Sequence, residues 1–390
     1  MKTLTSSKDL AINGAPPCFT APLHVGRPNI GSREDFMKLA SDIFERRWLS
    51  NNGPLVQELE KRIADFLGVK HCVAICNGTV ALEIAIRALE LEGEVIVPSY
   101  TFIATAHALQ WQAITPVFAD IDPKTHALDP AAVRRMITPK TTGIIGVHLW
   151  GNTAPIEELQ EIADEFRLNL LFDAAHAFAC SHRGQMIGNF GRCEVFSFHA
   201  TKFFNTFEGG AVATNDDALA ETMRLMRNFG FAGFDNVVYS GTNGKMIEIA
   251  AAMGLVNLDA IEGVIEINRR NYEHYRQELA GLPGITLLGF DESERRNFQY
   301  VVIEVGTGCP VNRDRIIETL HAENVLARKY FWPGCHQMKP YRDLYPDAGL
   351  SLPNTITVAD KVIVLPTGTA VDEQDIIAIC AIIRILIAGQ

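Results

Sequence analysis

Between residue 70 and about residue 214, short apolar runs alternate with amphipathic stretches, and this alternation restricts the available folds more than any other feature. Strand-like runs are read at 71–76, 94–97, 116–119, 143–147, 168–172 and 194–198. Helical periodicity occupies 80–89, 103–113 and a segment from Pro155 to about Phe166, where proline suits the first turn. Near-continuous apolar strands separated by helices predict a parallel sheet covered on both faces, an α/β fold. Beyond it, 247–279 reads as one long helix ended by Gly281 and Gly284. A strand-like 299–305, a helix-like 313–323 and an apolar last helix, started near Thr369 and Asp372, predict a smaller α+β domain. The expected division is a Pro/Gly-rich arm at 1–30, a large domain at 31–265 and a small domain at 266–390.

Composition narrows the function. Of 390 residues, 47% are hydrophobic and 21% charged, which excludes a disordered chain. A chain of this length buries about three quarters of its unfolded surface and needs no disulfide or metal staple. The net charge of −11 lacks the basic footprint of a nucleic-acid binder and disfavours an anionic membrane surface. The eight cysteines are scattered, with no CxxC pair and no Cys/His zinc spacing, as expected of reduced core thiols and no bound metal. Residues 1–17 show no apolar signal segment, and the apolar run 376–388 is shorter than a membrane span. A cytoplasmic protein is the expectation.

In open α/β sheets, ligands bind beyond the carboxyl ends of the strands. Four polar groupings follow strands here. Asn77-Gly78-Thr79 opens a helix, where free N–H groups and the helix dipole favour a phosphate; taken alone it reads more readily as a simple N-cap turn. Ser99-Tyr100-Thr101-Phe102 brings an aromatic after the next strand. Asp173 closes Leu170-Leu171-Phe172, and a semi-buried carboxylate needs a cation or an N–H partner. It suits the protonated ring nitrogen of pyridoxal phosphate, and suits a loop backbone as well. His176, three residues on, is by default a core or loop histidine. Lys202 follows Ser197-Phe198-His199-Ala200-Thr201 and precedes Phe203-Phe204. A lysine desolvated among aromatics has a lowered pKa and is a competent Schiff-base amine, although most single lysines lie on the surface. Each grouping is weak alone, and the order in which they fall along one sheet is not.

With those stretches the chain resembles the DegT/DnrJ/EryC1/StrS family of sugar aminotransferases. The matching runs are 48–54, 97–102, 119–123, 147–151, 172–176 and 197–210, and the resemblance spans about 25–385. It implies the fold type I architecture of pyridoxal-phosphate transferases, with a mainly parallel seven-stranded sheet in the large domain. By position, Lys202 matches the lysine that carries the cofactor and Asp173 the partner of its ring nitrogen. Phe102 matches the stacking aromatic, Gly78, Thr79 and Ser197 the phosphate contacts, and His176 a residue near the ring hydroxyl. Asn243 matches an asparagine that reaches the phosphate in the neighbouring subunit, which implies a homodimer with shared active sites. Glu208, Tyr330 and His336 are further candidates for substrate contact. Gly244-Lys245 stands where many members have Tyr-Arg, so the receptor of the amino donor's carboxylate is unassigned.

The resemblance implies transfer of an amino group from L-glutamate to a nucleotide-linked keto-deoxysugar. The segment 203–210 resembles that of enzymes acting on C4 of dTDP-4-keto-6-deoxy-D-glucose. Amination at C3, a UDP- or GDP-linked sugar and a pyridoxal-phosphate sugar dehydratase are the alternatives. Some family dehydratases carry histidine in place of the lysine, so Lys202 favours transamination. The Asp173–Lys202 pair argues against a non-catalytic regulator, and no GxGxxG follows a strand to support a nicotinamide dehydrogenase.

Overall fold

In the computed structural model, which describes residues 4–389, the alternation becomes a seven-stranded sheet between two helical layers. The arm contributes β1 (Leu23–His24), and α1 (Arg33–Arg46) and α2 (Pro54–Leu67) precede the sheet. Next come β2 (His71–Ile75), α3 (Gly78–Ala88), β3 (Glu94–Pro98), α4 (Ala104–Gln110), β4 (Thr115–Ala119) and α5 (Pro130–Met136). They are followed by β5 (Thr141–Val147), α6 (Ile156–Phe166) and β6 (Asn169–Asp173). A hairpin of β7 (Ser181–His182) and β8 (Gln185–Met186) leads to β9 (Glu194–Ser197), β10 (Gly210–Thr214) and α7 (Asp217–Met226). The spatial order is β2-β10-β9-β6-β5-β3-β4. All neighbours pair parallel except β10, which is antiparallel to both β2 and β9.

The period of two along a strand sorts the core into two layers. Leu170 and Phe172 of β6 face one layer and Leu171 the other; β9 likewise separates Phe196 from Val195, and β10 Ala211 and Ala213 from Val212. The first layer is closed by α2, α5, α6 and α8 (Glu248–Asp259), the second by α3, α4 and α7. Glu248 is fully buried and accepts the N–H groups of Leu55 (3.1 Å) and Val56 (2.9 Å), so one carboxylate caps the start of α2 from α8.

The single helix expected over 247–279 is two helices, α8 and α9 (Ile261–Leu279), parted at Ala260. The segment holds no proline, and the break follows a change of packing partner. The α8 helix is buried on nearly every side against α1 and α2, whereas α9 lays one face on the C-terminal part. The expected domain junction at 265–266 falls inside α9, shortly after this break.

The C-terminal part contains β11 (Ile285–Leu287), β12 (Val301–Val305), α10 (Arg313–Ala322), β13 (Val325–Leu326), α11 (Lys339–Leu344), α12 (Pro353–Ala359), β14 (Val362–Leu365) and α13 (Glu373–Ala388). Its antiparallel sheet has the order β11-β12-β14. A reciprocal Asp372–Asp375 capping box starts α13, while Thr369 bonds Asn29 instead. The arm is pinned here: β1 pairs with β13, Leu10 is buried in the C-terminal core, and Glu323 accepts the N–H of Ala11 and of Cys18. Among the described residues no helix is long and apolar enough to cross a membrane.

Candidate active site

The carboxyl ends of β2, β3, β6 and β9 open onto a cavity of about 590 Å³. Gly78, Thr79, Phe102, Asp173, His176, Ser197, Lys202, Glu208 and Tyr330 all line it. Of the residues singled out from sequence, Asn243 and His336 lie outside.

The Asn77-Gly78-Thr79 turn is an N-cap at the edge of the cavity. The Asn77 side chain caps α3 by accepting from the Val80 N–H at 2.9 Å. The first-turn N–H groups of Gly78 and Thr79 have no acceptor within the helix. A Cβ on Gly78 would stand 2.9 Å from the Cβ of Ser197, and one on Gly210 would stand 2.7 Å from the backbone of Asn77 and Gly78. Only glycine lets the start of α3 come this close to the ends of β9 and β10. The result is a cradle of backbone N–H and hydroxyl groups from Gly78, Thr79 and Ser197.

Asp173 ends β6 almost fully buried. Its Oδ2 accepts the Thr105 hydroxyl at 2.8 Å and its Oδ1 the Ala175 N–H at 3.1 Å. Burial pushes its carboxyl pKa up, against those hydrogen bonds and the positive charge of Lys202. Lys202 sits in the loop between β9 and β10, before the buried Phe203 and Phe204. Burial lowers its amine to about 8, with Asp173 pulling the other way. Among the described residues no carboxylate stands within ion-pair distance of this amine. The site thus holds one buried carboxylate and one amine of lowered pKa beyond the carboxyl ends of two neighbouring parallel strands, β6 and β9.

Phe102 is 57% exposed although it lines the cavity, so a ring face is open to a flat ligand. His176 lies against both Trp150 and Phe331, which also stack on each other, and its Nδ1 faces the Trp150 backbone N–H at 3.4 Å. A backbone N–H only donates, so the neutral ring carries its proton on Nε2, which meets the Tyr300 hydroxyl at 3.2 Å. Burial holds the pKa of His176 well below its usual value, and the ring is neutral near pH 7. Glu208 pairs with His199 at 3.2 Å, and His199 in turn meets the Thr201 hydroxyl at 2.8 Å. The carbonyl of Tyr330 accepts the Tyr100 hydroxyl at 2.6 Å.

His336 is buried behind the cavity wall. Its Nδ1 lies 2.7 Å from Ser99 Oγ, so it supports the β3–α4 turn and does not touch the cavity. Asn243 is exposed, opposes Asn228 in a short bridge and does not line its own chain's cavity. Sequence reasoning missed Thr105, Tyr300 and Phe331. Thr105, in the first turn of α4, meets the hydroxyl of Thr101 in the turn before the helix at 3.2 Å, which ties it to the end of β3. Tyr300 and Phe331 sit in apolar surroundings that read as ordinary core.

The model of the DegT/DnrJ/EryC1/StrS aminotransferase family matches residues 31–384. The chain belongs to this family. It is 38% identical, over 91% of its length and 96% of the relative's, to a dTDP-4-amino-4,6-dideoxy-D-glucose transaminase of Escherichia coli. It is 35% identical to a GDP-perosamine synthase of Caulobacter vibrioides, over 91% of this chain and 95% of that one. Among solved structures, DesI in the presence of its TDP-sugar product superposes with a TM-score of 0.93 at 47% identity, covering 98% of this chain and 97% of that one. Family membership makes the chain an aminotransferase whose cofactor is pyridoxal phosphate, and the cavity fits that group. The cradle at Gly78, Thr79 and Ser197 suits its phosphate, Phe102 offers a stacking face, Asp173 an acceptor for a ring N–H, and Lys202 a low-pKa amine for its aldehyde.

Proposed function

We propose that the chain transfers an amino group from L-glutamate to C4 of dTDP-4-keto-6-deoxy-D-glucose, acting as a homodimer in which each active site draws on both subunits. The observation that carries the reading is the Lys202–Asp173 pair facing one cavity beside the phosphate cradle, in a chain similar over nearly its whole length to a dTDP-sugar transaminase. When bound, pyridoxal phosphate supplies a carbonyl for the amine and an electron sink for the carbon that loses its proton. The residues of the chain provide the rest. Asp173, desolvated and fixed by Thr105 and Ala175, would hold a proton on the ring nitrogen of the bound cofactor. Lys202 Nζ, whose pKa burial brings down to about 8, so that it gives up its proton far more readily than a solvated lysine, would take the proton from the α-carbon of glutamate and return one to C4 of the sugar. Neutral His176, locked by Trp150 and Tyr300, orients the bound ring without adding charge. The aromatic wall of Tyr300, Tyr330 and Phe331 keeps water from the reacting carbon.

The test is amination of a panel of dTDP-, UDP- and GDP-linked 3-keto- and 4-keto-sugars with glutamate, read by mass spectrometry and NMR. The expected product carries its amine on C4 of the dTDP-sugar. An amine on C3 would overturn the regiochemistry. A preference for GDP-4-keto-sugar would move the enzyme toward the GDP-perosamine synthases, and a deoxygenated product without glutamate consumption would replace transamination by dehydration.

A further inference from the structure

A nucleotide diphosphate linked to a sugar brings two negative charges to a chain whose net charge is already −11. Among the residues lining the cavity, Lys202 is the one lysine or arginine, and its amine is committed to the reacting carbon. The diphosphate therefore needs a cation at the rim. Arg328 stands there. Its backbone is clamped to β14 in both directions, N–H to the Val364 carbonyl at 3.0 Å and carbonyl to the Val364 N–H at 2.8 Å. Its guanidinium lies 4.9 Å from the centroid of the Tyr330 ring, and Tyr330 lines the cavity. The side chain is exposed, and among the described residues no carboxylate pairs with it. Its neighbour Lys329 differs: that amine sits 2.7 Å from Asp314 and over the ring of Trp332. A planar guanidinium resting on an aromatic ring keeps its N–H edge free for phosphate oxygens.

We infer that Arg328 is the substrate-binding cation that receives the diphosphate of the nucleotide-linked substrate, across the Tyr330 ring from the reaction centre. The inference rests on the nucleotide-sugar reading above. The amino donor's carboxylate is the competing anion, and position favours the diphosphate. Glutamate must reach Lys202 inside the cavity, whereas the nucleotide is the part of the sugar substrate that projects outward past the ring.

Binding of dTDP to the holoenzyme, measured by titration calorimetry, tests this. A charge-assisted contact of this kind corresponds to about 10- to 100-fold in affinity. Arg328→Gln is expected to weaken dTDP by that factor and Arg328→Lys by less, while Lys329→Gln stays within about twofold because its charge is already neutralised. The half-reaction with glutamate alone, followed by the cofactor's visible absorbance, is expected to keep its rate in Arg328→Gln, which also shows that the variant is folded. Should Arg328→Gln fail to fold, Arg328→Lys carries the same comparison. Unchanged dTDP affinity beside a wild type that binds dTDP would overturn the inference alone. So would a collapsed glutamate half-reaction with intact dTDP binding, which would assign Arg328 to the donor carboxylate. A wild type that binds none of dTDP, UDP or GDP would overturn the nucleotide-sugar reading, and this inference with it.

Discussion

Lys202 and Asp173 are each destabilised as ions by burial, and each makes the other's charge less costly. That opposition gives two measurable consequences. In protein stripped of cofactor, acylation of Lys202 followed by peptide mass spectrometry should rise with pH and reach half its maximum at about 8. The sign follows from the nucleophile: only the neutral amine reacts, and burial makes the neutral form dominant at a lower pH than for a solvated lysine. Asp173→Asn removes the charge that raises this amine, so the midpoint should move further down; an upward move would contradict the coupling. The same substitution should cut turnover at saturating cofactor by about 10²–10³-fold, the usual effect of deleting one preorganised electrostatic group. Near-normal turnover would reject the role of Asp173. Both residues are legible in the sequence through their order along one sheet and the family resemblance of 172–176 and 197–210, since neither charge stands out alone. Thr105 and Tyr300 are not, because a threonine in a helix and a tyrosine leading into a strand are also what plain packing produces.

At the scale of elements, the start of α3 does two jobs with adjacent residues. Asn77 caps the helix, and Asn77→Ala should cost roughly 0.5–2 kcal/mol in unfolding free energy, read by denaturant titration. Gly78 permits the contact with β9, so Gly78→Ala forces a methyl to within 2.9 Å of Ser197 Cβ and should push the cradle open. Cofactor affinity should then fall by about tenfold or more, the loss expected for one phosphate hydrogen bond, with much of the turnover returning at saturating cofactor. Unchanged affinity would mean that the phosphate does not lie there. The strand–turn–helix pattern is visible in sequence because apolar period and turn chemistry agree. The break at Ala260 is invisible for the opposite reason. Residues on both sides favour helix, and only the switch from the α1–α2 layer to the C-terminal part bends the chain. The antiparallel course of β10 is hidden similarly, since a buried strand reads the same in either direction.

The whole molecule leaves an apolar face uncovered near Asn243. Leu49 (59% exposed), Phe234 (100%) and Ile247 (49%) lie in segments joined by hydrogen bonds: Glu248 N–H to the Leu49 carbonyl, and Gly244 N–H to the Arg227 carbonyl, with Arg227 also reaching Asn52. Exposed apolar residues grouped this way mark an association surface, and a second copy of the chain is the proposed occupant. Asn243 lies on this face, outside its own cavity, where a two-fold partner would bring the other chain's phosphate cradle to it. Mixing two inactive variants tests the arrangement. Lys202→Ala removes the amine, and Asn243→Asp places a carboxylate where it would repel a phosphate. If each site uses Lys202 of one chain and Asn243 of the other, a mixed dimer holds one site with both defects and one with neither. Co-refolding should then restore about half the wild-type activity per mixed dimer, by the symmetry of a two-fold interface. If Asn243 served its own chain, every site would keep one defect and mixing would restore nothing. An inactive mixture with mixed dimers confirmed by native mass spectrometry, or a fully active monomer, would remove the shared site.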